Sequence, residues 1–156
     1  MITETKEFEF ELEFPKPFCI TKWLVLSSCF FLVPAIYAFL HAHTILYGFL
    51  SIFTTICSIN HWRCAEDGYR RQIDRVVAII AFIIYFVTGC IYFPIYLSIL
   101  TFTTIGLSFA TSNYLSKIHH EYWALVHVLF HLSVSITKII IIYYILDDFE
   151  LIKKID

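Results

Sequence analysis

Charge is scarce in this sequence. Asp, Glu, Lys and Arg make up 15% of its 156 residues, where an ordinary soluble domain carries about 25%. None of the four occurs between Trp23 and Trp62, and none between Val76 and Ser112. Long stretches without charge exclude a water-soluble domain of ordinary surface. The net charge of -2 supplies no basic surface for phosphates, which excludes a nucleic-acid partner. The cysteines Cys19, Cys29, Cys57, Cys64 and Cys90 are odd in number and lack CxxC spacing, so they form neither a disulfide framework nor a zinc-knuckle pattern. Residues 1–22 lack the basic start and short apolar run of a secretory signal. The first apolar segment is therefore expected to stay in the chain as a membrane helix.

What fills the sequence instead is apolar. Hydrophobic residues make up 59% of it, aromatic ones 19%, and its mean hydropathy is +0.75. This is the composition of an integral, multi-pass membrane protein whose first partners are membrane lipids; the organelle is not encoded in it, and endoplasmic reticulum, Golgi and plasma membrane all fit. Residues 1–22 form an acidic, aromatic tail. From Glu7 to Phe14 the residues alternate strictly, which is strand periodicity, before Pro15 and Pro17 end the pattern. With no partner strand, the tail is expected to be extended or disordered, its aromatic side on the membrane surface.

The bundle follows over residues 23–146, and a charged tail over 147–156. The 40 residues from Trp23 to Trp62 would make about 60 Å of helix, while a bilayer core of about 30 Å needs about 20 residues. The segment must cross twice, with a break at His41-Ala42-His43 and a kink at Pro34. The Val76 to Ser112 stretch also crosses twice, turning at Tyr92-Phe93-Pro94. A last helix closes the chain. The expected fold is an all-α transmembrane bundle of about five helices, at roughly 23–40, 44–62, 75–92, 95–112 and 122–146.

Flanking Lys and Arg set orientation. With the N-terminus inside, the inner side carries Lys6, Lys16, Lys22, Arg63, Arg70, Arg71, Arg75 and Lys117, the outer side only Lys153 and Lys154, and Lys138 lies within a helix. The expectation is a cytosolic N-terminus.

The most informative stretch is HHEYWALVHVLFHLSVSITK, from His119 to Lys138. His127 and His131 are four residues apart, so on a helix they are neighbours on one face, and Ser135 and Lys138 return to that face. A polar stripe on an apolar helix is expected to face protein or a water-filled cavity. A buried helix with two hydrogen-bonded histidines is the plain reading. In the expected topology His61, Asp74, His127 and His131 fall in one leaflet on three helices. Three imidazoles with an open position are a catalytic zinc ligand set, and a nearby carboxylate can hold the water. Each residue also has an ordinary reading: His61 as an interface anchor, Asp74 as the N-cap of the third helix, His41 and His43 as turn residues, His119 and His120 as solvated, and Lys138 as snorkelling outward or paired inside the bundle.

Cys57-Ser58-Ile59-Asn60-His61, Asp74, and His127-Val128-Leu129-Phe130-His131 together resemble the SxxxH, Asp and HxxxH motifs of the CREST superfamily. That superfamily includes alkaline ceramidases, progestin and adipoQ receptors, hemolysin III-type proteins and myomaker-like proteins. The resemblance covers about 57–78 and 119–140. It implies zinc held by His61, His127 and His131, with Asp74 beside the water, and hydrolysis of a lipid amide such as ceramide. Two departures accompany it. The superfamily has seven helices where five are expected here. Cys57 stands at the Ser position, and Ser58 is displaced by one residue, about 100° around the helix. Cys57 and Ser58 are both candidates for that place, Cys57 either as a fourth ligand or as a small residue lining the site. Two functions stay open: a zinc-dependent hydrolase of a lipid amide or ester, and a non-enzymatic membrane protein with a structural metal or a lipid-binding site.

Overall fold

The structure is a computed structural model describing residues 18–66, 68–118 and 120–153. The alternating segment from Glu7 to Phe14 lies outside these residues, as does His119. Every regular element among them is helical: α1 (Phe18–Ser28), a 3-10 turn (Cys29–Phe31), α2 (Leu32–Phe39), a second 3-10 turn (Ala42–Thr44), α3 (Ile45–Arg63), α4 (Tyr69–Tyr92), α5 (Ile95–Lys117) and α6 (Trp123–Lys153). Among the described residues, five stretches are long and apolar enough to cross a bilayer, the first formed by α1 and α2 together. The chain is an all-α, multi-pass membrane bundle.

Its burial pattern suits lipid rather than water. Buried positions include Ser27, Ser28, Ser51, Thr54, Thr55, Ser98, Ser112 and Ser135, while Phe49, Phe53, Ile79, Ile83, Ile99 and Leu107 are exposed. Lipid tails solvate apolar side chains as well as a protein core does, so helices associate through small residues and hydrogen bonds. Gly48 and Gly89 serve this packing. A Cβ at Gly48 would lie 2.8 Å from the Phe39 ring, and one at Gly89 2.9 Å from Phe102.

The breaks have local causes. Pro34 has no N–H for the carbonyl four residues back, that of Phe30. The 3-10 turn falls just before it, and the released Phe30 carbonyl accepts the Ser135 hydroxyl of α6 at 2.5 Å. At the expected His41-Ala42-His43 break, His41 is extended, and the Thr44 hydroxyl donates to the Ala38 and His41 carbonyls. Phe93 and Pro94 separate α4 from α5. Two expected starts are corrected: α1 begins at Phe18, not at residue 23, so the end of the expected tail is helical, and α4 starts at Tyr69, not near residue 75, so Asp74 sits in its second turn and Gly68 is its N-cap. Arg70, Arg71 and Gln72 are good helix formers, and an amphipathic turn is stable at the membrane interface, so the helix begins before the apolar run does. At the other end of the chain, α6 continues through Asp147 and Asp148 to Lys153.

Packing differs along the bundle. Where α4 ends, α5 begins and α6 runs through its second half, Tyr85, Phe93, Ile141 and Ile145 form a dense core. The opposite end, where α3 finishes and α6 starts, holds a cavity.

Candidate functional site

The cavity encloses about 620 Å³, within the range of small-molecule pockets. His61, Asp74, His127 and His131 all line it, as do Ser58, Trp62, Arg71, Arg75 and Lys138. His61 lies in the last turn of α3, Asp74 in the second turn of α4, and the other two histidines in the early turns of α6. The up-and-down topology thus delivers all four to one end of the bundle. His61, His127 and His131 are 4%, 8% and 3% exposed.

Hydrogen bonds orient two of the rings. Nδ1 of His131 lies 2.8 Å from Ser27 Oγ, and that hydroxyl is 3.0 Å from the Leu24 carbonyl. A carbonyl only accepts, so the Ser27 proton goes to Leu24 and Nδ1–H donates to Ser27. Nδ1 of His127 lies 2.9 Å from Ser112 Oγ, which in turn donates to the Trp123 carbonyl at 3.3 Å. Both imidazoles are thereby protonated on Nδ1, with the lone pair on Nε2. Partners on the second nitrogen set the tautomer in this way at metal-binding histidines. The two rings meet edge to face, centroids 4.8 Å apart. Nδ1 of His61 is buried without a hydrogen-bond partner, and so is Nε1 of Trp62.

The donor chemistry fits a metal: paired imidazoles with assigned tautomers, and a third whose buried nitrogen has no partner. The spacing is looser than the chemistry. Trp62 packs against both His61, at 4.5 Å, and His127, at 5.0 Å between ring centroids. As they stand, no three His, Cys, Asp or Glu side chains among the described residues are grouped to hold one ion. A shared ion needs these side chains closer together than they stand.

The wall also separates Cys57 from Ser58. Thr54, Ser58 and His61 line the cavity, while Cys57 is buried outside its wall. Ser58 Oγ is 2.9 Å from Ser28 Oγ, whose own proton goes to the Leu24 carbonyl at 2.7 Å. Ser58 therefore donates to Ser28 and presents only lone pairs elsewhere. The other described histidines, His41, His43 and His120, are not part of the cavity lining. His41 packs edge-on to Tyr37, His43 stacks on Phe149, and His120 accepts the Tyr122 N–H.

Sequence reasoning missed Ser27, Ser112 and Trp62. Serines inside apolar helices were the available signal, but nothing in the sequence ties Ser27 to a histidine 104 residues away.

Fold and cavity define a multi-pass membrane protein with a largely apolar chamber, carrying a few polar side chains, at one end of its bundle. No family model, curated protein or solved structure matches the chain.

Proposed function

We propose that the protein is an intramembrane, zinc-dependent hydrolase of a lipid amide, ceramide-like in the first instance, with esters second. The observation that carries this reading is the meeting of His61, Asp74, His127 and His131 on the wall of one membrane-embedded cavity. The resemblance of their motifs to the CREST superfamily supports it. His61, His127 and His131 would hold zinc, which would supply Lewis acidity for the carbonyl and acidify a water towards a pKa of about 7.

The chain's own groups do the rest. Ser27 and Ser112 hold His131 and His127 in the tautomer that turns Nε2 to a ligand. Asp74, half-buried in the second turn of α4, takes the proton of the attacking water and returns it to the leaving nitrogen. The C–N bond breaks, a carboxylate and an amine form, and one water is consumed. The apolar part of the wall, including Phe82, Phe102 and Phe109, receives the acyl chain.

The test is release of fatty acid from a panel of lipid amides and esters by the purified protein. The expected outcome is turnover of at least one amide. Asp74→Asn should keep the metal content and lose about 10²- to 10⁴-fold in rate, the usual contribution of a positioned acid–base group. An untouched panel, with Asp74→Asn indistinguishable from wild type, would sink this reading. A lipid-binding protein without turnover would then stand. The indole against both His61 and His127 is the observation that favours that second reading.

A further inference from the structure

Lys138 has no role in the hydrolysis described above. It follows His131 by seven residues, about 10 Å further along α6, and lies near the middle of the membrane span Trp123–Leu151. It does not snorkel: the residue is 3% exposed, and its Nζ has no hydrogen-bond partner. Its neighbours are ring faces, with Phe31 at 4.7 Å and Tyr85 at 5.0 Å. Cation–π contacts offset only part of the cost of a buried ammonium. An ionisable side chain at this depth, on a cavity wall, marks a functional site.

We propose that Lys138 anchors a monoanionic head group, the carboxylate of a long-chain fatty acid, inside the cavity. One ammonium matches one negative charge, whereas a doubly charged phosphate monoester would bring a surplus charge into the middle of the bilayer. The route for the ligand is lateral. Ile79, Phe82 and Phe109 line the cavity and are also 58%, 45% and 46% exposed, so the seam between α4 and α5 is at once cavity wall and lipid-facing surface. Gly106 is on that wall, and a Cβ built there meets no atom within 4 Å. The carboxylate enters through this seam to reach Lys138 while the chain trails into the bilayer. This site needs neither a metal nor turnover at the histidines, so it stands or falls apart from the hydrolase reading.

Displacement of cis-parinaric acid from the full chain in dodecyl maltoside measures it. Wild type should bind palmitate and hexadecyl sulfate with similar affinity, and hexadecanol about 10- to 100-fold more weakly, the scale of a charge-assisted contact. Lys138→Met should remove that preference, and Lys138→Arg should keep it. Gly106→Phe should plug the seam and weaken palmitate binding about tenfold or more, with an unchanged melting temperature. The comparison of palmitate with hexadecanol on wild type needs no variant, so it decides the matter even if Lys138→Met fails to fold. Equal affinity for the two overturns the proposal. So does Lys138→Met protein that binds palmitate as wild type does. Unchanged palmitate affinity in Gly106→Phe overturns lateral entry.

Discussion

The two ends of the cavity are built by opposite means. At the histidine end each α6 imidazole is held by a serine whose proton is already given to a backbone carbonyl. At the lysine end a cation is held by ring faces alone. The first arrangement fixes orientation and tautomer, so it suits a ligand that needs directed lone pairs. The second fixes only a charge in a place that disfavours charge, so it suits a ligand that brings the opposite one. Ser135 sits between the two, one turn from each on α6, and ties the helix to the break before Pro34.

The largest expected effect separates the ends outright. His127→Ala should abolish zinc retention, read by metal analysis of purified protein, because it removes one of the two paired ligands. Lys138→Met should leave the zinc content unchanged in the same measurement. If Lys138→Met also loses the metal, the ends are one site and the contrast fails.

A smaller effect tests what the serines do. Ser27→Ala and Ser112→Ala should each lower zinc affinity about 10- to 100-fold, the usual cost of losing an outer partner of a ligating histidine. Competition with a chelator reads it. Affinity equal to wild type in both variants would mean that the serines only pack. Ser27→Ala should leave the palmitate preference at Lys138 untouched.

The smallest effect concerns the tie between them. Ser135→Ala removes the hydroxyl donor to the part-buried Phe30 carbonyl and should cost about 0.5–1.5 kcal/mol of stability, read by denaturation in detergent. Pro34→Ala restores an N–H that can reach Phe30. The double variant should recover part of the Ser135→Ala loss, and strictly additive losses would show that the two residues do not share that carbonyl.

Much of the fold was legible because membranes impose simple rules. A charge-free run too long for one crossing must turn, and it turns where His41-Ala42-His43 and Phe93-Pro94 interrupt the helices. The start of α4 was less legible. Hydropathy marks where the apolar run begins, but backbone hydrogen bonding continues through an interfacial turn of Arg and Gln, so Asp74 moved from the cap into the helix. On α3 the sequence left Cys57 and Ser58 open. Positions three and four residues before His61 are both its neighbours, and only the tertiary packing put Ser58 on the cavity wall and Cys57 off it.

By itself the sequence determined an all-α membrane bundle, its five crossings, and the collection of His61, Asp74, His127 and His131 at one end, because periodicity, length and chain direction are local properties. Tertiary structure alone decided which serine orients which histidine, that Trp62 stands against both His61 and His127, and that Lys138 is enclosed rather than snorkelling. Those outcomes depend on contacts between residues far apart in the chain, where one helix rotation or one intruding ring changes the partner, and no local pattern records them.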